Sequence, residues 1–503
     1  MGAGRLTLKR VQLTIRRMDA EHKPCVGAES GDRIDLERPG GLKRAARSDV
    51  RMTHGPEVSR RGLLATAVGG VLLGGHGRKR LARAEGTGAR VDEAQTRPAG
   101  AASSDLYDPM AAGELPQYIF FNVAPHSGWH QGRPKSFTPE LCEEIIDTIG
   151  TRGHERRRMG VSFIFSILER KLETSARSLQ NLLDAALAAD LPVLITLDGQ
   201  NWWQSRSDLW NWWDPDAPGY DPANRLNVEW TGWSPETAVK IGWRNWGRQL
   251  RVAPAPNLAS PRFLAEHWKA YDVLIPILLR WYRRLPATRK YLFGGVKLGW
   301  EASINVNAYH YKNGNEIFER SPHDASGDPD DHSPEKGWTF ALAALGYAAV
   351  RTAGIKTSGE LTKFDIEQVV YQYLESLCRE AHRRGIPKHM IFTHQGGTYA
   401  PWDQHLSFKP AINDYSIPGW SFYSHDPPDC GSLARDLESA GRQQWAACEW
   451  WRGAADEVGW RERFARTLNF KRCRFVCVYN WNGFAKAPGG PAAVSSLLQQ
   501  TKD

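Results

Sequence analysis

The chain has 503 residues, of which 41% are hydrophobic, so it is long enough to bury the core of a barrel-sized domain. Its formal net charge of +9 is concentrated in residues 1–84, which hold 18 Lys/Arg against 8 Asp/Glu and leave −1 for residues 85–503. This balance argues against nucleic-acid binding by the body of the chain. The seven cysteines contain no Cys-x-x-Cys spacing, which argues against a zinc ribbon or a thioredoxin-like site.

The basic segment over 1–84 is predicted to be a leader. The pair Arg60-Arg61 precedes an apolar run over 63–73, and this pattern resembles a twin-arginine export signal. The run is too short to cross a membrane, and Ala-Arg-Ala at 82–84 resembles a signal-peptidase site. Because such signals lie near an N-terminus, Met52 is an alternative translation start. We therefore expect export to the periplasm or the cell exterior without a membrane anchor; a disordered basic tail is the alternative.

From residue 114 onward, after an Ala/Gly/Thr/Ser-rich linker over 85–113, the hydrophobic pattern alternates between strand-like and helix-like segments. Eight short apolar runs predict strands over 118–123, 161–167, 192–197, 291–300, 388–393, 416–423, 444–448 and 474–480. Helical spacing predicts helices over 175–189, 261–284, 364–384 and 433–440, and Thr138-Pro139 marks the start of another. This order predicts an α/β fold, a (β/α)8 TIM barrel over 114–503. A doubly wound α/β sheet is the alternative, although no Gly-rich phosphate turn follows the first strand.

Two connections are longer than a plain barrel needs. The segment after strand 3, residues 199–260, carries nine tryptophans, and the segment after strand 4, residues 302–363, contains an acidic run over 323–335. Both leave the C-terminal ends of strands, which form the catalytic face of such barrels. We therefore expect these long insertions to shape a binding cleft.

Two of the predicted strands lead into a glutamate beside tryptophan. Strand 4 ends in Trp300-Glu301, and strand 7 is followed by Glu449-Trp450. A lone acid at a buried strand tip is unfavourable unless it is paired or used in chemistry. Glycoside hydrolysis needs one protonated and one ionised carboxyl group, so this pair predicts that reaction. The alternative is that each glutamate is a structural ion-pair partner, for example Glu301 with Lys297.

Over residues 117–483 the strand pattern and these two glutamates resemble glycoside hydrolase clan A, whose members are retaining (β/α)8 enzymes. The resemblance implies that Glu301, after strand 4, is the acid/base and that Glu449, at strand 7, is the nucleophile. It also implies sugar-site roles for Tyr423, Trp481 and His394.

One position departs from the pattern of the clan. Its members usually have an asparagine immediately before the acid/base, where it binds the sugar 2-hydroxyl, and this chain has Trp300 there. The contact would then come from another asparagine: Asn201, Asn305 or Asn480. Asp198 at the end of strand 3 is expected either to bind sugar hydroxyls or to cap the following loop, and Trp202 is a candidate for stacking on a sugar ring.

We therefore expect a secreted, retaining glycoside hydrolase that cleaves an oligo- or polysaccharide by double displacement, with no cofactor and no metal. No His-x-His, His-Glu-x-x-His, Gly-x-Ser-x-Gly or P-loop pattern indicates another chemistry. The alternative is a catalytically inactive, carbohydrate-binding TIM barrel. The expected partner is a carbohydrate, with no nucleic acid and no membrane, and the pattern specifies no oligomeric state.

The leader hypothesis predicts the effect of a double substitution. Arg60→Lys combined with Arg61→Lys should leave the protein in the cytoplasm, because a twin-arginine signal is defined by that pair. Cell fractionation with immunodetection measures the distribution. As a control, deletion of residues 1–51 should leave export unchanged. Normal export of the double variant would contradict the twin-arginine interpretation.

Overall fold

The computed structural model describes residues 115–125, 132–240, 243–245, 250–252, 254–304, 308–309, 345–396, 406–423 and 426–500. The predicted leader and linker, Asn305 and the acidic run over 323–335 lie outside the described residues. In the described part of the chain, no helix combines the length and the apolar character needed to cross a membrane.

Parallel strands close into an eight-stranded barrel in chain order. They are β1 (Gln117–Asn122), β2 (Arg157–Ser166), β3 (Val193–Asp198), β4 (Phe293–Ala302), β5 (Ile391–Gln395), β6 (Gly419–Phe422), β7 (Gln444–Trp450) and β8 (Arg472–Val478). Each strand pairs with the next, and β8 returns to β1 with Phe475 opposite Tyr118. The closed parallel order confirms the predicted (β/α)8 barrel and excludes the doubly wound alternative, whose sheet is open.

Helices lie between the strands and within the insertions. They are α1 (Pro139–Ile149), α2 (Leu172–Ala189), α3 (Ser207–Trp210), α4 (Pro261–Arg284), α5 (Tyr347–Thr352), α6 (Lys363–Arg383), α7 (Gly431–Ser439), α8 (Glu457–Leu468), α9 (Trp481–Phe484) and α10 (Gly490–Gln499). N-cap side chains start several of them. Ser260 accepts from the Phe263 N–H at 3.3 Å before α4, and Thr362 and Asp365 form a capping box before α6.

Apolar side chains form two buried layers. The inner layer fills the barrel lumen with residues that lie mostly at alternate strand positions: Tyr118, Phe120, Leu194, Phe392, Ile417, Ala446, Cys448, Phe475 and Cys477. The outer layer lies between strands and helices and includes Ile119, Phe121 and Val476. Because side chains alternate across a strand, one strand supplies both layers. The lumen is thus a packed core, and groups that act on a ligand belong at the C-terminal strand ends.

The two long insertions, which follow β3 and β4, pack against each other. Trp243–Asn245, Leu250–Val252 and Ala308–Tyr309 form an antiparallel three-stranded sheet that joins them. The fully buried Glu229 of the first insertion also accepts backbone hydrogen bonds from Gly346 at 3.1 Å and Ala348 at 3.2 Å in the second. The described parts of the two insertions are therefore in contact with each other.

Most described tryptophans of the first insertion fix its main chain. The indole N–H groups of five of them donate to backbone carbonyls at 2.7–3.1 Å: Trp203, Trp210, Trp212, Trp230 and Trp233. Trp203 is 2% exposed and packs edge-on against Phe263 of α4. These indoles fill a core and satisfy carbonyls that lack a partner in regular structure, which explains most of the tryptophan excess there.

Candidate active site

Glu449 lies near the end of β7 and is fully buried. Three side chains from other strand ends donate to its carboxylate. Trp300 Nε1 lies 2.7 Å and Asn122 Nδ2 lies 3.3 Å from Oε1, and the Tyr423 hydroxyl donates to Oε2. Because these donors come from the ends of β4, β1 and β6, the carboxylate lies where the C-terminal strand ends converge. Hydrogen bonds to both oxygens stabilise its ionised form.

Glu301 reaches the same centre through an irregular strand end. In a regular strand, Trp300 and Glu301 would face opposite sides of the barrel wall. Here Gly299 and Glu301 have positive φ angles of 78° and 48°, and the pairing of β4 with β5 shifts register over these residues. A positive φ is strained for glutamate and is often found at functional sites. The irregularity lets Trp300 bond to Glu449 while the charge of Glu301 acts on the same carboxylate.

Gly396, directly after β5, makes room for this strand end. Its N–H donates to the Ala302 carbonyl at 3.1 Å. A Cβ at this position would lie 2.5 Å from the carbonyl oxygen of Glu301, which is closer than van der Waals contact allows. Glycine at position 396 therefore permits the backbone approach that fixes Glu301.

The surroundings of Glu449 include groups that raise its pKa and groups that lower it. Burial, followed by the charge of Glu301, raises the pKa of Glu449 to about 8. Lys297, Tyr423 and Trp300 act in the opposite direction and favour the ionised form. Loss of water around its hydroxyl and then the two glutamates also raise the pKa of Tyr423 well above its ordinary value, although the residue as a whole is 42% exposed. The phenol therefore stays protonated and remains a hydrogen-bond donor to Glu449.

The turn after β3 is tied to the end of β4. Asp198 accepts from the backbone N–H groups of Gln200 at 3.1 Å and Asn201 at 3.2 Å. The Asn201 side chain donates to Asp198 at 3.2 Å and also to the Trp300 carbonyl. Of the two roles expected for Asp198, the structure thus shows the contacts of a loop cap. These contacts also hold Asn201 next to the residue that precedes Glu301.

Three buried amide oxygens in this region accept no hydrogen bond from the described residues: Asn122 Oδ1, Gln200 Oε1 and Asn201 Oδ1. Buried polar atoms in folded proteins are nearly always satisfied. The amide N–H groups of these three side chains already donate to Glu449, to the Ser303 carbonyl and to Asp198. Their oxygens therefore have unused acceptor capacity among the described residues.

Trp202 and Trp300 form an aromatic pair at the same strand end. Their rings are nearly parallel, at 15°, with centroids 6.4 Å apart. Trp202 is partly exposed, whereas Trp300 is 4% exposed. A partly exposed indole beside buried polar groups is suited to stacking on the apolar face of a sugar.

His394 lies on β5 with its ring buried. Its Nε2 is 2.9 Å from Ser421 Oγ, and its Nδ1 has no hydrogen-bond partner among the described residues. Burial, with a smaller effect of the Lys297 charge, holds the pKa of His394 well below its usual range. The ring is therefore neutral. Within the described ranges, no three His, Cys, Asp or Glu side chains are grouped as a metal site would require.

Trp481 begins α9 and Asn480 is its N-cap, and the contacts described for them are with residues other than the two glutamates. The Trp481 indole donates to Glu144 at 3.1 Å and packs edge-on against Phe121. Asn480 caps α9 by accepting from the Gly483 N–H at 3.3 Å. Trp481 also borders a cavity of about 330 Å³ at the ends of β1 and β8. Their predicted sugar contacts stay predictions.

Asn122 and Lys297 are two residues near Glu449 to which the sequence patterns assign no role at that carboxylate. Asn122 continues the alternation of the lumen-facing Tyr118 and Phe120, and that periodicity is the signal that could have found it. Lys297 is a charge within an apolar strand, and it is fully buried. Its Nζ donates to neutral atoms, the Cys448 carbonyl at 2.8 Å and the Cys477 thiol at 3.8 Å, and not to Glu301.

No protein-family model matches this sequence, and none of the curated proteins matches it. Similar solved structures include a GH5_18 variant from Streptomyces cattleya in complex with Manb1-4GlcNAc, at 12% identity and TM-score 0.39, covering 77% of this chain and 82% of that one. A GH5_18 variant from Bifidobacterium longum in complex with the same ligand is 9% identical, with a TM-score of 0.40, and the match covers 77% of this chain and 79% of that one. The exo-beta-1,4-mannosidase Op5Man5 from Opitutaceae bacterium strain TAV5 is 10% identical, with a TM-score of 0.38, and the match covers 79% of this chain and 61% of that one. At these TM-scores the likenesses carry no argument about activity, which rests on the geometry of the site.

Glu449→Gln should stabilise the protein by several degrees more at about pH 9 than at about pH 5. The folded-state pKa of Glu449 is about 8 and lies above the value of about 4.3 for an unfolded glutamate. Between these values the folded protein binds more protons than the unfolded chain, so stability is lost as the pH rises. Glutamine has no such proton to lose. Thermal unfolding of both proteins across this range measures the difference.

The control is Glu236→Gln, which changes a glutamate whose side chain is 71% exposed. Its difference in Tm from the wild type should not depend on pH. A Glu449→Gln difference that also stays constant with pH would contradict the raised pKa of Glu449.

Proposed function

We propose that this protein is a retaining glycoside hydrolase in which Glu449 is the nucleophile and Glu301 is the acid/base. The observation that carries the proposal is the convergence of Trp300, Tyr423 and Asn122 on the buried Glu449, with Glu301 on a strained strand end from which its charge acts on Glu449. A pair of carboxyl groups at the C-terminal face of a (β/α)8 barrel can divide proton transfer and nucleophilic attack between them.

Glu449 suits the nucleophilic step because its carboxylate is fixed and donors on both oxygens stabilise its negative charge. With its pKa raised to about 8, the ionised form that attacks is a minority of the substrate-free protein at neutral pH and grows as the pH rises. Attack on the anomeric carbon forms an ester bond between Glu449 and the sugar. At the same time Glu301 gives its proton to the departing glycosidic oxygen, and the bond between that oxygen and the anomeric carbon breaks.

The electrostatic coupling of the two glutamates supports the second half of the cycle. Once Glu449 is an ester it carries no charge, so a deprotonated Glu301 no longer meets a repelling carboxylate. Glu301 can then take a proton from water, which attacks the anomeric carbon and releases Glu449 as a carboxylate. Two inversions leave the configuration of the sugar retained.

Sugar recognition would use the unfilled acceptors and the aromatic pair. The oxygens of Asn122, Gln200 and Asn201 can accept hydrogen bonds from sugar hydroxyls, and Trp202 can stack on the ring. Asn201 donates a hydrogen bond to the Trp300 carbonyl. It is therefore a candidate for binding the sugar 2-hydroxyl, because Trp300 stands where the clan has the asparagine that makes this contact. Together with the twin-arginine pattern of the leader, these expected sugar contacts support the proposal of an exported enzyme that acts on an oligo- or polysaccharide.

Glu449→Ala should be inactive on all substrates, whereas Glu301→Ala should keep first-step activity on aryl glycosides with good leaving groups. A good leaving group departs without a proton, and general acid–base assistance is worth about 10²–10⁴-fold for the others. Azide should accelerate turnover of Glu301→Ala and give a glycosyl azide of retained configuration. Steady-state rates on a panel of aryl glycosides, with NMR of the products, provide the measurement.

The matched control is Glu229→Gln, which changes another fully buried glutamate away from the strand ends and should keep wild-type kcat. Azide rescue of Glu449→Ala with retention, and none of Glu301→Ala, would reverse the two roles. A wild-type protein without activity on any glycoside would instead favour the inactive carbohydrate-binding barrel.

Trp202→Ala and Trp203→Ala should separate sugar binding from packing, although the two residues are adjacent. Trp202 is the partly exposed member of the aromatic pair, so its loss should raise KM by about 2–10-fold, as expected for one aromatic contact. Trp203 is a buried core residue, so its loss should instead destabilise folding by about 3–5 kcal/mol. Kinetics and denaturant unfolding of both variants measure the two effects. Equal effects on KM would show that Trp202 has no special part in binding.

A further inference from the structure

Lys297 is a fully buried cation inside the barrel, four residues before Glu301 on β4. An ammonium group transferred from water to an apolar interior is strongly destabilising unless it is paired or hydrogen-bonded. The contacts of Lys297 Nζ are with the Cys448 carbonyl at 2.8 Å and the Cys477 thiol at 3.8 Å, both neutral groups. A full charge at this depth therefore needs an explanation beyond these two hydrogen bonds.

The contact with Cys448 places this cation next to the proposed nucleophile. Cys448 directly precedes Glu449 on β7, so Lys297 bridges the strand that carries Glu301 and the strand that carries Glu449. The positive charge of Lys297 acts on Glu449 and favours its ionised form. It acts in the opposite sense on His394, which it helps to keep neutral.

Among the described residues, the other groups that contact Glu449 or act on its charge do not provide a positive charge. Glu301 repels its negative charge, and Trp300, Asn122 and Tyr423 are neutral donors. Titratable groups farther into the lumen interact with Glu449 or with Lys297: Cys448 and Cys477 with Glu449, and His394 with Lys297. Burial raises the pKa of both thiols, and His394 is neutral, so these groups are uncharged. The charge that offsets the burial of Glu449 therefore comes from Lys297.

We propose that Lys297 is a positioning residue that favours the ionised form of Glu449 needed for attack, through a positive charge next to its strand and a hydrogen bond to the Cys448 carbonyl on that strand. This inference rests on the proposed function, which assigns nucleophilic attack to Glu449. In this role Lys297 exchanges no proton in either step. When the ester between Glu449 and the sugar breaks, the same charge favours the return of the electron pair to the carboxylate.

Lys297→Met removes the charge and keeps an unbranched apolar chain. In a pH profile of kcat/KM, the acidic limb that reports ionisation of Glu449 should move upward by about one pH unit or more. At a pH below the acidic limb of both the wild type and the variant, this shift lowers kcat/KM at least about tenfold, while kcat/KM on the plateau changes less. Cys477→Ala is the matched control, because it removes the thiol contact of Lys297 and keeps its charge. The limb should stay in place in that variant.

A second measurement needs no substrate and so tests the inference separately from the proposed function. In thermal unfolding at about pH 9, Lys297→Met should lower Tm more in the wild-type background than in Glu449→Gln, where no carboxylate remains to be paired. This coupling is measurable even if no glycoside is cleaved. An unmoved limb together with equal losses of Tm in both backgrounds would overturn the proposal.

The comparison of the two backgrounds also tests the proposal if Lys297→Met does not fold. If Lys297→Met yields no folded protein, recovery of folding in the double variant Lys297→Met/Glu449→Gln supports the coupling, because the unpaired buried charge has been removed. Failure of both variants to fold would contradict it, since Lys297 would then be needed whether or not Glu449 is charged.

Discussion

The burial of the Glu449 carboxylate at the mouth of the barrel is the constraint on which the site depends. Removing water disfavours a charge there, and the nearby Glu301 disfavours it further. The charge is tolerated only if donors and a cation replace the lost water. Those groups come from β1, β4 and the residue after β6, which are far apart in the chain. The site therefore forms only when the barrel closes, and the stability of the fold and the chemistry of the site share one requirement.

The end of β4 shows how local backbone geometry meets that requirement. Two neighbouring residues have to face one centre, and regular strand alternation forbids this. Positive φ angles at Gly299 and Glu301 solve the problem at a strain of about 1–3 kcal/mol for the non-glycine residue. The close contact with Gly396, where a Cβ would clash with the Glu301 carbonyl, keeps the strained segment from relaxing. The packed layers of the barrel below are rigid enough to hold it.

Sequence patterns located the elements because local signals define them. Helix α4 begins at Pro261 after the N-cap Ser260 and ends at Arg284, as the spacing predicted. Glu301 and Glu449 were found because each is an acid at the end of an apolar run. The partners of Glu449 were not all found, because barrel closure and the irregular end of β4 decide which side chains reach it. Trp481 and Trp202 look alike in sequence, and only the tertiary structure places one against α1 and the other beside Trp300.

Glu229 shows why burial of an acid does not by itself identify an active site. Burial also raises the pKa of this glutamate to about 8, as it does for Glu449. The donors to Glu229 are main-chain N–H groups at the start of α5, which lack partners within the helix and would need an acceptor in any case. Glu229 therefore joins the two insertions and completes a helix start.

The donors to Glu449 are of a different kind. An indole, a phenol and an amide are side chains that the fold does not require at these positions, and each orients on the carboxylate from a separate strand. Main-chain donors satisfy the backbone, whereas converging side-chain donors prepare a carboxylate for a defined charge and direction of attack. This difference in donor chemistry, more than the shift in pKa, is the reason that we propose a chemical role for Glu449 and a structural role for Glu229.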